Sequence, residues 1–300
     1  MSSDTLEKAI VFETIMAMNG NDYKKSYDIY SALTEGGNAF RPFPQVSSFF
    51  SSDAMRYEDE WRRIRDHYHA LKANVSVIES HTLSPTLSEG SYPIPFLYLF
   101  GNEKLLSLAG CTILGPFLPS EGAKRKAMDI VLSLSGLSCP LVSSLEPGLP
   151  LFSVGKMLKV KGKVVAVMHT FPLKPDGKEA LSTLKGVLEN DGLLISPIGL
   201  SQRSERWHQA LRNRVLATLS SCLVLLEEKD GGPSWKVFDE AEPGTGRFIS
   251  KALMDDDTLA FPKARREKGA RIYRSFSDIQ GIFGKSVRAE RYRDLTPELF

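Results

Sequence analysis

Trp207-His-Gln-Ala-Leu-Arg212-Asn213-Arg214-Val-Leu-Ala-Thr-Leu219-Ser220-Ser-Cys-Leu-Val-Leu-Leu226-Glu227 joins a basic, amide-bearing turn to a short apolar helix and then to an uninterrupted apolar strand. A strand that is apolar at every position is covered on both faces, which is the condition of a parallel sheet layered between helices. The turn sets two guanidiniums beside the end of that sheet. Guanidiniums fork onto phosphate oxygens and Asn satisfies a backbone or base edge, so Arg212, Asn213 and Arg214 suit a polyanion. The plainer alternative is that both arginines form a solvated, charged helix start.

The same texture continues on both sides of this stretch. Apolar runs at 96–100, 109–114, 140–142, 164–168, 192–196 and 223–227 alternate with helical patterns at 123–135, 178–189 and 212–219, with further short segments at 236–241 and 258–261. Continuous strands separated by crossover helices predict an open α/β fold, a Rossmann-like parallel sheet flanked by helices. Ligands of such sheets sit at the carboxyl ends of the strands, near the reversal of strand order. The loops after Leu114, Val142, Met168 and Ser196 and the turn after Leu226 are therefore where function is expected.

Residues 1 to about 80 have helical spacing instead. Leu6, Ile10, Val11, Ile15 and Met16 make one stripe and Trp61, Ile64, Tyr68 and Leu71 another, with Pro42 and Pro44 breaking the chain between helices. Ser, Pro and Gly crowd 84–95, as in a linker or an extended loop. The organisation expected is a small all-helical N-terminal domain at 1–83, the Rossmann-like domain at 84–275, and a short polar C-terminal tail at 276–300.

With 42% hydrophobic and 25% charged residues the chain has the composition of a soluble globular protein. It contains no run of the ~18 apolar residues that a membrane span needs. The start, Met1-Ser-Ser-Asp-Thr-Leu-Glu-Lys, lacks the layout of a signal peptide, so a cytoplasmic, non-membrane protein is expected. Cys111, Cys139 and Cys222 lie far apart in apolar runs and read as core thiols, not as a disulfide framework or a metal site. A net charge of +2 leaves polyanion binding to local patches. These are Arg62-Arg63-x-Arg65, Lys124-Arg125-Lys126, Arg203 with Arg206, Arg212 with Arg214, and the basic residues of 263–274 with Arg288, Arg291 and Arg293. Taken singly, each reads first as a solvated face.

Several motifs fail on inspection. Ile279-Gln-Gly-Ile-Phe-Gly284-Lys285-Ser286 approaches a nucleotide P-loop but has Ile279 where the first Gly is required, and no strand precedes it. Pro243-Gly-Thr-Gly-Arg-Phe hints at the loop of nucleotide phosphoribohydrolases, yet Ile249 and Ser250 follow where a Glu is needed; a surface turn is expected. The five His residues have no metal-ligand spacing, although His169 ends a strand in the expected pocket. No Ser stands in a nucleophile elbow. Neither a catalytic residue nor a metal or other cofactor is expected.

The order of elements and the residues at their ends resemble the DNA-processing protein family DprA/Smf. Pro95-Phe-Leu-Tyr-Leu-Phe-Gly101 is similar to the family's Pro-x-x-Leu-Tyr-x-x-Gly strand. Cys111-Thr-Ile-Leu-Gly115-Pro-Phe-Leu-Pro-Ser120-Glu-Gly122 is similar to its Gly-Ser-Arg phosphate loop with the following Ser-x-x-Gly. Leu141-Val-Ser143-Ser-Leu-Glu-Pro-Gly148-Leu-Pro resembles its Ser-Gly-x-Ala-x-Gly-x-Asp loop. Val164-Val-Ala-Val-Met, Gly192-Leu-Leu-Ile-Ser-Pro, Arg212-Asn213-Arg214 with Leu219-Ser220, Leu223-Val-Leu-Leu-Glu227 and Gly269-Ala-Arg271 follow in the family's order. The departures fall on the phosphate pocket. Gly-Ser-Arg is here Gly115-Pro116-Phe117, Ser144 replaces a Gly, Pro147 stands where Arg is frequent, and Pro150 replaces an Asp. The Phe-Pro that precedes Arg-Asn-Arg is Gln209-Ala210, with Trp207 nearby as a stacking surface.

The resemblance implies a non-enzymatic protein that binds single-stranded DNA and loads a RecA-type recombinase in natural transformation. Lys124, Arg125, Lys126, Arg212, Asn213 and Arg214 would line a basic groove, flanked by Arg203 and Arg206, with Gly115, Ser120 and Gly122 in the phosphate loop. A homodimer is compatible with this reading. The alternative is a nucleotide-binding or phosphoribohydrolase-like protein of similar fold, for which Glu146 and Glu227 are the strand-end carboxylates available.

Overall fold

The computed structural model describes residues 3–34, 53–71, 75–90, 92–170, 178–202 and 205–283. They divide into two compact units, one within Met1–Phe100, His169–Lys174 and Ser196–Leu211, the other within Gly101–Met168, Pro175–Ile195 and Arg212–Phe300. The fold is mixed α/β, with a mostly parallel sheet flanked by helices and a helical N-terminal region.

In the first unit, helices α1 (Ser3–Met18), α2 (Tyr23–Thr34) and α3 (Ala54–Ala70) accompany an antiparallel pair, β1 (Ser76–Glu79) with β2 (Phe96–Gly101). Tyr57, Ile64 and Tyr68 recur at helical spacing and are buried. The opposite face of α3 is self-neutralised: Arg62 pairs with Glu58, Arg63 with Glu60 at 2.7 Å and Arg65 with Asp66 at 3.4 Å. That basic run is a solvated helix face. Phe12 meets Tyr23, Tyr30 and Phe96 in edge and tilted ring contacts that form the unit's aromatic core. The helical reading of residues up to about 80 is corrected at Ser76–Glu79, where Val77 is buried and its neighbours are half-exposed, as β alternation requires.

The second unit carries β3 (Cys111–Leu114), β4 (Leu141–Ser143), β5 (Val164–Val167), β6 (Leu193–Ser196), β7 (Cys222–Leu225), β8 (Gly246–Ser250) and β9 (Arg271–Tyr273), ordered β6-β5-β4-β3-β7-β8-β9 and all parallel. Every residue of β3 to β7 is buried. The crossover helices are α4 (Glu121–Gly136), α5 (Leu149–Lys159), α6 (Lys178–Glu189) and α7 (His208–Thr218). The chain builds outward from β3 through β4, β5 and β6, then returns to lay β7 on the other side of β3. The reversal of order, and the crevice it creates, therefore lies between the carboxyl ends of β3 and β7.

Two expectations are corrected in this unit. Pro243-Gly-Thr-Gly-Arg-Phe is a surface turn only at its start: Pro243 and Gly244 turn in the open, but Gly246–Ser250 pairs along β7, and Phe248 and Ile249 are buried. Residues 258–261 contain no strand; Phe261 opens the short helix Phe261–Glu267, and the last strand lies further on, at β9. The segment at 236–241 falls mostly in the helix Pro233–Asp239. Cys111 and Cys222 sit opposite each other on β3 and β7 with their sulfurs 3.4 Å apart, and all three thiols are buried and unbridged. Among the described residues no helix is long and apolar enough to cross a membrane. The breaker at 38–44 and the tail arginines lie outside the described residues.

Candidate nucleic-acid interface

Three backbone seats along the carboxyl edge could receive an anion, and at each of them the protein's own groups engage one or more of the donors. The first is the start of α4, where Ser120 caps the helix by accepting from the Ala123 N–H at 3.2 Å. The Ser120 N–H, which would point at a phosphate in a Rossmann-type loop, donates to Glu227 Oε2 at 2.9 Å. Glu227 follows β7, so its carboxylate bridges the switch-point crevice from one side to the other. The second seat is the start of the helix Pro233–Asp239, where Glu228, buried, accepts from the Lys229 and Ser234 N–H groups at 3.1 and 3.2 Å. The Ser234 hydroxyl donates to the Gly115 carbonyl at 3.1 Å and closes the crevice further.

The third seat is the start of α5. Gly148 has φ +101, and a Cβ there would lie 2.5 Å from Phe117 Cα, so only glycine lets the loops after β3 and β4 abut. The Leu149 N–H donates to the Pro116 carbonyl at 3.1 Å, Pro150 has no N–H, and the Leu151 N–H donates to the Glu146 carbonyl at 3.1 Å. The substitution of Gly-Ser-Arg by Gly115-Pro116-Phe117 thus leaves the tight turn and adds an apolar tip. Phe117 and Leu118 are 66% and 80% exposed.

Arg212, Asn213 and Arg214 lie within α7 and not in a turn, so they are differently placed from either sequence reading. Arg212 is only 4% exposed, so it is not a solvated helix start. Its Nη1 lies 2.6 Å from Glu146 Oε1, and Asn213 Oδ1 accepts from its Nε at 3.1 Å and its Nη2 at 2.6 Å. The ion pair with Glu146 braces α7 against the loop after β4, while Asn213, buried beside it, fixes the guanidinium's orientation. Arg214 is half-buried. Of the other basic candidates, Arg125 is exposed, Lys124 and Lys126 are half-buried in the first two turns of α4, and Lys124 pairs with Glu121 at 2.7 Å. Gly115, Ser120, Gly122, Lys124, Arg125, Lys126, Arg212, Asn213 and Arg214 all belong to the second unit. Arg206 is exposed in the first, and Arg203 lies outside the described residues.

Sequence reasoning missed the Glu146–Arg212 pair and the Glu227 tie, because both depend on which way a strand-end side chain turns. In the first unit Trp207 stacks on Tyr92 (6.1 Å, 26°) and meets Tyr23 edge-on at 5.0 Å, with its indole N–H on Glu205 at 2.5 Å. His208 beside it is buried and accepts through Nδ1 from the Glu205 N–H at 3.3 Å. Burial holds its pKa down to about 4 against the opposing pull of Glu205. Glu13, fully buried on α1, accepts from the Tyr68 hydroxyl and, at 2.8 and 2.5 Å, from the N–H and hydroxyl of Ser201. Burial raises its pKa although these donors pull it down. Among the described residues no group of three His, Cys, Asp or Glu is gathered to hold a metal ion.

The chain has detectable relatives. It is 26% identical over 144 residues to protein Smf of Synechocystis, covering 45% of this chain and 35% of that protein. It is 23% identical over 194 residues to DNA processing protein DprA of Bacillus subtilis, covering 62% and 63%. The chain therefore spans less than two thirds of either relative. Its fold matches the X-ray structure of DNA processing protein A from Streptococcus pneumoniae with a TM-score of 0.59 at 18% identity, over 94% of both chains. It also matches the Helicobacter pylori protein, whose structure describes that protein's single-stranded DNA binding mode, with a TM-score of 0.54 at 16% identity, over 68% of this chain and 93% of that one. The family profile described as DNA recombination-mediator protein A matches residues 74–256. That match takes in all of β1 to β8 and more than half of the sequence, and on it this chain belongs to the DNA recombination-mediator protein A family.

Proposed function

We propose that this protein binds single-stranded DNA along the carboxyl edge of its parallel sheet, performs no chemistry on it, and presents it in the cytoplasm to a RecA-type recombinase during DNA uptake, with a homodimer as the working form. The observation that carries this reading is the family match over residues 74–256, whose sheet ends in a run of cations, Lys124, Arg125 and Lys126, on the first two turns of α4. Side chains make most of the phosphate contacts, since the Ser120, Ser234, Leu149 and Leu151 N–H groups at the edge are already engaged. Arg212 and Asn213 hold the loop after β4 in place. Arg214 and Arg206 extend the basic surface in their respective units.

The nucleotide-enzyme alternative requires a free carboxylate in the crevice. Glu146 is held by Arg212 and Glu227 by the Ser120 N–H, which argues for the binding protein. The test is fluorescence anisotropy of a labelled dT oligomer with the wild type and a Lys124→Glu/Arg125→Glu/Lys126→Glu variant. A loss of roughly tenfold or more at low salt supports the proposal. Equal binding by both proteins removes α4 from the interface.

A further inference from the structure

The tip Phe117 and the outer face of α5 border the same glycine. Beyond Gly148 a surface hollow of 430 Å³ runs along α5, lined by Pro147, Gly148, Leu151, Phe152, Gly155, Lys156 and Lys159. Phe152, Lys156 and Lys159 stand at i, i+4 and i+7 and share one helix face. Lys156 Nζ rests 5.1 Å from the centre of the Phe152 ring. Among the described residues no carboxylate lines the hollow, and Gly155 keeps its floor open. Phe117 stands at the other side of Gly148, on a loop whose backbone is locked against it.

We propose that this surface, from Phe117 over Gly148 to Lys159, is a base-stacking site for single-stranded DNA, in which Phe117 and Phe152 take bases and Lys156 and Lys159 take the phosphates between them. The inference rests on the single-strand reading above and assigns it a second contact surface with a different chemistry. Its logic is substitution. Gly115-Pro116-Phe117 has neither a hydroxyl nor a guanidinium for a phosphate, and the Ser120 and Ala123 N–H groups at the start of α4 and the Leu149 and Leu151 N–H groups at the start of α5 are engaged within the protein. What the edge offers instead is two aromatic rings on rigid supports and, along the helix, two ammonium groups. Every base has a π face, so such a site is indifferent to sequence while requiring that bases be present and unpaired. The run from Gly148 to Lys159 rises about 16 Å at 1.5 Å per residue, room for a few nucleotides.

The experiment measures anisotropy with two strands of equal length, a dT oligomer and an abasic deoxyribose phosphate strand, across a salt series. Wild type is expected to prefer the base-bearing strand by about tenfold or more. A Phe117→Ala/Phe152→Leu variant, which keeps an apolar group on α5 but removes both ring faces, should bind the two strands alike with an unchanged salt slope. A Lys156→Gln/Lys159→Gln variant should keep the preference for bases and lose about 1.4 units of slope, roughly 0.7 for each phosphate contact. Wild type binding both strands equally, a ring variant that retains the preference, or a lysine variant with an unchanged slope would each overturn the site while leaving the single-strand reading intact. Wild type binding neither strand would overturn both. Thermal melting of each variant confirms that the fold is retained, since Phe117 is exposed and the α5 residues are at most half-buried.

Discussion

Removing the Arg212 guanidinium would leave Glu146 without its cation and Asn213 Oδ1 without its donors inside the protein, so Arg212→Ala should lower stability by about 2–3 kcal/mol in urea unfolding. This is less than the ~3–5 kcal/mol of a fully enclosed pair, because Glu146 keeps part of its water. Arg212→Lys should recover only part of the loss, since a point charge cannot reach Glu146 and Asn213 together. Weakened DNA binding by an Arg212 variant therefore reports first on the loop after β4. A second effect at this scale is pH-linked. His208 is neutral when folded, with its pKa held near 4, whereas the unfolded imidazole protonates near 6.5. Its contribution is therefore fully present above about pH 6.5 and is lost as pH falls toward 4, up to about 3 kcal/mol. His208→Asn keeps an acceptor for the Glu205 N–H and should flatten denaturation midpoints over that window; an undiminished slope would assign it to other groups. The identity of the Arg-Asn-Arg segment was legible in the sequence. Its orientation was not, because one helical residue separates a guanidinium in water from one in the core.

Among the elements, the loops after β3 and β4 form one braced unit whose hinge is Gly148. Gly148→Ala would require a side chain at φ +101 and a Cβ against the Phe117 backbone, and should cost about 2–4 kcal/mol by thermal or urea unfolding. A wild-type midpoint would mean that the two loops separate freely. Glu227→Gln should cost about 1 kcal/mol, since it removes the negative charge from the start of α4 while leaving an oxygen to accept from Ser120. Strands buried on both faces were readable: β3, β5, β6 and β7 stand out as uninterrupted apolar runs. β8 was not, because Gly246 and Arg247 break its run and leave Phe248 and Ile249 looking like part of a turn. β1 was hidden for the complementary reason, since a half-buried four-residue strand carries too few positions to separate a period of 2 from one of 3.6.

For the whole molecule, a net charge of +2 gives little long-range field, so any attraction for DNA is local and short-ranged. Several cations that looked available in the sequence are balanced within the fold: the α3 arginines by Glu58, Glu60 and Asp66, Lys124 by Glu121, and Arg265 by Asp239. Those left along the carboxyl edge and on α5 are few, which limits how many phosphates can be neutralised together. The central claim is accordingly most exposed to a titration of dT-oligomer binding by the wild-type protein against salt. Contact with three or four phosphates predicts a straight line of log affinity against log salt with a slope of about −2 to −3. A slope near zero, or no binding at low salt, would contradict it.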